Sequence, residues 1–89
     1  MITKALPIIN KLGLHARAAA KLVNTASLYK CNVTISKDEQ SINGKSIMGV
    51  MMLAAAKGST ISITTDGVDE DQAMADIEQL VAARFDEAE

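Results

Sequence analysis

The chain has 89 residues, room for one domain with a modest core and not for two. It is 48% hydrophobic but only 2% aromatic, so Tyr29 and Phe85 apart, the core must be built from Ile, Leu, Val, Met and Ala. A formal net charge of -2, no basic block of five or more residues and no aromatic platform for stacking bases argue against nucleic-acid binding.

Ile2 to Ile9 reads as a strand with Ile2, Leu6 and Ile8 on one face, although Lys4 interrupts the alternation. Pro7 lacks a ladder donor, which places this strand at a sheet edge. Asn10-Lys11-Leu12-Gly13 connects it to a helix over Ala16 to about Ser27, with apolar residues at 16, 19, 20, 23 and 26. Asn32 to Lys37 alternates around Val33 and Ile35, Asp38-Glu39 turns, and Gln40 to Asn43 returns, which makes a hairpin. Gly44-Lys45-Ser46 opens a second helix, Ile47 to about Ala56, closed by Lys57-Gly58. Ser59 to Thr65 alternates around Ile61 and Ile63. Asp69 with Gln72 resembles a capping box for a last helix carrying Ala73, Met74, Ile77, Leu80, Val81 and Arg84 on one stripe. The order βαββαβα predicts an α+β domain over residues 1–89, an antiparallel sheet with helices gathered on one face.

Cys31 is alone, so no intramolecular disulfide is expected and a reducing compartment suits the chain. Met1 to Pro7 lacks the apolar core of a signal peptide, and no stretch approaches the roughly 20 apolar residues of a membrane span. The expectation is a cytoplasmic protein with no membrane insertion.

The chemistry centres on the only histidine, in Gly13-Leu14-His15-Ala16-Arg17-Ala18-Ala19-Ala20. A surface histidine at a helix start is the bland reading. Two neighbours weigh against it: Gly13 allows a tight turn just before the imidazole, and Arg17 can pair with an anion held at the same helix end. Unpaired backbone N–H groups there favour negative charge, so the ring can accept a phosphoryl group and the site can hold what it accepts. Metal binding fits poorly, because Cys31 is the only other soft ligand and no spacing resembles a cluster. Serine-based hydrolysis lacks a histidine to spare as base. No metal and no cofactor are expected.

Ser46 reads first as an N-cap, and a phosphoserine at the same helix end is physically tolerable, so regulation there is open. Ile47, Met48, Val50, Met51, Met52 and Leu53 are apolar nearly all round the second helix. Part of that set must be exposed, and adaptable methionines make a docking surface for several partners. The alternative is a helix buried on two sides, which a domain this small hardly accommodates.

Taken together, Gly13-Leu14-His15-Ala16-Arg17 and Asn43-Gly44-Lys45-Ser46-Ile47-Met48-Gly49-Val50-Met51 resemble the HPr family of histidine phosphocarriers. This family, with its nitrogen-branch relatives, serves the bacterial phosphoenolpyruvate-dependent phosphotransferase system. The resemblance spans essentially the whole chain. It implies an open-faced β-sandwich with sheet order 1-4-2-3 under three helices, and a carrier rather than an enzyme. It implies that His15 is phosphorylated at Nδ1 by enzyme I and passes the group to an EIIA domain in sugar uptake or nitrogen-branch regulation. Arg17 and the backbone N–H groups of Ala16 and Arg17 then hold the phosphoryl group. Leu14, Ala20, Ile47, Met48 and Met51 fall at docking positions, and Ser46 falls at a site used by HPr kinase/phosphorylase in some bacteria. A monomer is expected.

The chain departs from the family at Ala18, where proline is usual; alanine should keep the helical turn and alter rates rather than remove function. The rival reading is a regulatory module on the same fold, acting through Ser46 and the methionine surface without relaying phosphate. Retention of His15 and Arg17 argues against it.

Overall fold

A computed structural model describes residues 1–88. Its order is β1 (Ile2–Pro7), α1 (Ala16–Ser27), β2 (Asn32–Lys37), β3 (Gln40–Asn43), α2 (Ile47–Met52), β4 (Thr60–Asp66) and α3 (Glu70–Ala82), then a short 3-10 turn (Arg84–Asp86). The sheet is fully antiparallel in the order β1-β4-β2-β3, with Leu6 opposite Ile61 and Ile35 opposite both Ile63 and Ile42. Pro7 therefore does lie on an edge strand, where its missing N–H leaves no ladder bond unmade.

One face of the sheet carries Leu6, Val33, Ile35, Ile61 and Ile63, all buried under the helices. The other is open and polar, with hydroxyl pairs Thr3–Thr64 at 2.9 Å and Ser36–Ser41 at 2.8 Å. The small side chains Ala18, Ala19 and Ala26 are fully buried, so α1 lies close to its neighbours, with Leu22 as its single large anchor. That buried face is rotated from the expected stripe: Ala16 is exposed and Val23 only half-buried. Four of the five residues from Ala16 to Ala20 are alanine, so periodicity there gives no sharp choice of face.

Three expectations about helix ends are corrected. The second helix stops at Met52, a turn before Ala56, because Ala54 enters the left-handed region (φ 50°) and releases Ala55 to accept from the Leu14 N–H at 2.8 Å. Lys57-Gly58 then belongs to a turn, where the Gly58 N–H reaches the Ile8 carbonyl at 2.9 Å. Asp69 precedes α3 but caps nothing on it; its carboxylate accepts from the N–H groups of Lys30 and Cys31 at 2.8 and 2.9 Å. Arg84 leaves the α3 stripe altogether and is exposed.

Past α3, Arg84, Phe85 and Asp86 are all left-handed, with φ of 57°, 54° and 62°. Each such non-glycine residue costs on the order of 1 kcal/mol. The compensation is Phe85, fully buried as the largest side chain of the core, and a hydrogen bond from Lys21 Nζ to its carbonyl at 2.8 Å. This turn folds the end of the chain back toward the start of α1.

Candidate functional site

The loop before α1 is shaped by two residues. Gly13 has φ of 65°, and a Cβ there would stand 2.4 Å from the Ala55 carbonyl oxygen, so both the conformation and the space require glycine. Asn10, completely buried, donates from Nδ2 to the Gly13 carbonyl at 2.8 Å and to Glu87 Oε1 at 2.8 Å. Two acceptors on one nitrogen fix which way its amide faces.

His15 occupies the N-cap position of α1 in extended backbone (φ -75°, ψ 179°), and its ring does not cap the helix. The first intrahelical bond runs from the Ala19 N–H to the His15 carbonyl at 2.8 Å. The N–H groups of Ala16, Arg17 and Ala18 precede it and have no intrahelical acceptor, so their partial positive charge stays available beside the ring. Ala18 keeps the turn, as expected for the residue that replaces proline. Arg17 is exposed and, among the described residues, makes no ion pair or hydrogen bond of its own.

The imidazole is only part-exposed, and its Nε2 is hydrogen-bonded to the Glu87 carboxylate. Asn10 chiefly, with His15 and the Arg17 charge adding, holds the Glu87 carboxyl below its ordinary range. Reading the sequence missed Asn10 and Glu87. The acidic end of the chain was visible, but nothing local said that it would return to His15 across 72 positions.

Ser46 is the N-cap of α2, its Oγ accepting from the Gly49 N–H at 3.2 Å. On α2, Val50 is buried while Met48 and Met52 are 69% and 68% exposed, and Ile47 and Met51 are also exposed. Leu14 does not join that surface. It is 5% exposed and packs in the core, because its N–H bond to Ala55 turns it inward. Ala20 is half-buried. Among the described residues no group of His, Cys, Asp and Glu side chains could hold a metal ion, and no helix is long and apolar enough to cross a membrane.

Known proteins resemble this chain in sequence and fold. Residues 2–83 match the family model described as the PTS HPr component phosphorylation site. The chain is 52% identical over 89 residues to the phosphocarrier protein HPr of Neisseria meningitidis serogroup A, covering all of both chains. It is 53% identical over 83 residues to HPr of Pseudomonas aeruginosa, covering 92% of each. In three dimensions it superposes on HPr-C-His from Thermoanaerobacter tengcongensis with a TM-score of 0.96 and 37% identity over the whole of both chains. An open-faced sandwich with a histidine at the start of its first helix is here the fold of a phosphocarrier domain. The chain belongs to the HPr family, the phosphocarriers of the phosphotransferase system.

Proposed function

We propose that His15 accepts a phosphoryl group from enzyme I and delivers it to an EIIA domain, as a cytoplasmic, monomeric carrier. The observation that supports this most is the position of the ring at the uncapped head of α1. Free N–H groups of Ala16 and Arg17 and the Arg17 guanidinium can meet the three added oxygens there. A carrier needs to hold phosphate only moderately. Open solvent on one side and a single flexible guanidinium serve that better than an enclosed site.

Ile47, Met48, Met51 and the half-buried Ala20 give both partners one surface to dock on, while Leu14 acts from beneath by holding the loop. Ser46 is the proposed regulatory position, modified by an HPr kinase/phosphorylase. A phosphate on its Oγ would disturb the bond to Gly49 and add negative charge at the edge of the docking surface.

The test is intact-protein mass spectrometry after incubation with phosphoenolpyruvate and a catalytic amount of enzyme I. One added phosphoryl group is expected, lost in mild acid and absent from His15→Ala. A folded chain that takes up none, or a His15→Ala chain that takes up as much, would overturn the reading.

A further inference from the structure

We propose that Glu87, held by Asn10, is a positioning residue for phosphoryl transfer: it keeps the proton on Nε2 of His15 and leaves the Nδ1 lone pair facing the phosphoryl donor. The inference rests on the carrier reading above and assigns a part to the chain's own C-terminal segment.

The geometry argues it in steps. One oxygen of Glu87 meets His15 Nε2, and the other accepts from Asn10 Nδ2 at 2.8 Å, so the carboxylate is gripped at both ends. Asn10 is itself fixed, because the same nitrogen also donates to the Gly13 carbonyl at 2.8 Å. An ionised carboxylate can only accept, so the hydrogen between it and the ring sits on Nε2. In a neutral imidazole the other nitrogen, Nδ1, then carries the lone pair. The Glu87 side chain is 14% exposed and that of His15 29%, which limits competition from water for this contact. Glu87 reaches its place because Phe85 is buried and Lys21 holds the Phe85 carbonyl, so the segment is anchored one turn before the carboxylate.

The same contact serves both halves of the transfer. When Nδ1 attacks phosphorus, an N–P bond forms and the bond to the donor breaks, its electron pair leaving with the donor. The ring gains positive charge while the proton stays on Nε2, facing Glu87. On delivery a nucleophile of the acceptor bonds phosphorus as the N–P bond breaks, the electron pair of that bond returns to Nδ1, and the neutral ring with its Nε2 proton is restored. A carboxylate at Nε2 therefore opposes charge as it develops and keeps one ring nitrogen in use.

Glu87→Ala in the full chain tests this, with phosphoenolpyruvate-driven transfer from enzyme I followed at varied carrier concentration. A kcat about tenfold lower is expected, with KM for the carrier within about twofold of wild type, since orientation and not docking is lost. In proton–nitrogen NMR, the wild type should show a hydrogen-bonded Nε2–H signal for His15 that Glu87→Ala loses to solvent exchange. Glu87→Gln, which retains one acceptor oxygen, should fall between the two in both measurements and stands in should Glu87→Ala fail to fold. An unchanged kcat, a change in KM alone, or a persisting Nε2–H signal in Glu87→Ala overturns the inference. A wild-type chain that takes up no phosphoryl group overturns the carrier reading instead, and this role with it.

Discussion

The helices α1 and α2 begin side chain first in opposite ways. At α2, Ser46 turns its hydroxyl onto the Gly49 N–H and satisfies one of the donors that every helix start leaves open. At α1, His15 occupies the same position, caps nothing and faces Glu87 instead. The α3 start makes a third case, with Asp69 serving Lys30 and Cys31 of a neighbouring loop. A capped start has one of its open donors satisfied; an uncapped one keeps that partial positive charge exposed to whatever acid or anion stands nearby. The difference separates a position whose side chain closes its own helix from one whose side chain is left for a distant partner.

The largest effect should come from the loop that sets the uncapped start. Gly13→Ala places a methyl against backbone in a left-handed conformation and is expected to lower unfolding free energy by about 3 kcal/mol or more. Urea denaturation checks it, and a loss below about 1 kcal/mol would mean the loop has another conformation at little cost. Next comes a pair of opposite sign. Ser46→Ala should destabilise by about 1 kcal/mol, whereas His15→Ser should stabilise by about 0.5 kcal/mol while ending phosphoryl uptake. Equal signs in thermal melts would mean that the two helix starts do not differ.

The third helix start predicts a dependence on pH. The Lys30 N–H, aided by that of Cys31, holds the Asp69 carboxyl below the usual carboxylate range. The unfolded chain therefore takes up that proton first as acid is added. Asp69 contributes in full above its unfolded value of about 3.9, and the contribution disappears as pH falls through the lower folded value. Melting temperature plotted against pH should decline more steeply there for the wild type than for Asp69→Asn. Parallel curves would remove Asp69 from the account. The smallest effect belongs to Ala18→Pro. It removes an N–H with no intrahelical acceptor, so it should change stability by less than about 1 kcal/mol and alter transfer rates without abolishing them.

What the sequence made legible was local. Strand alternation around Val33, Ile35, Ile61 and Ile63 reports the buried face of the sheet directly, and Pro7 reports its edge. His15, Arg17 and Ser46 lie within a few residues of the turns that place them. Glu87 was illegible because its position depends on three left-handed residues that no local preference favours, stabilised by the burial of Phe85 and the Lys21 bond to its carbonyl. The exchange of Asp69 from its own helix to the Lys30–Cys31 loop was hidden for the same reason. A capping box and a tertiary acceptor are written with the same letters. Leu14 shows the converse, since a motif position marked it for docking while its backbone bond to Ala55 took it inside.

Cys31 gives the last of these contrasts a practical meaning. It is 2% exposed, and burial together with the Asp69 carboxylate pushes its thiol up from the ordinary value. The one thiol the chain owns is thereby kept away from solvent. A thiol reagent in the surrounding solution meets no exposed cysteine among the described residues. Packing thus turns the thiol into one more small apolar side chain of the core.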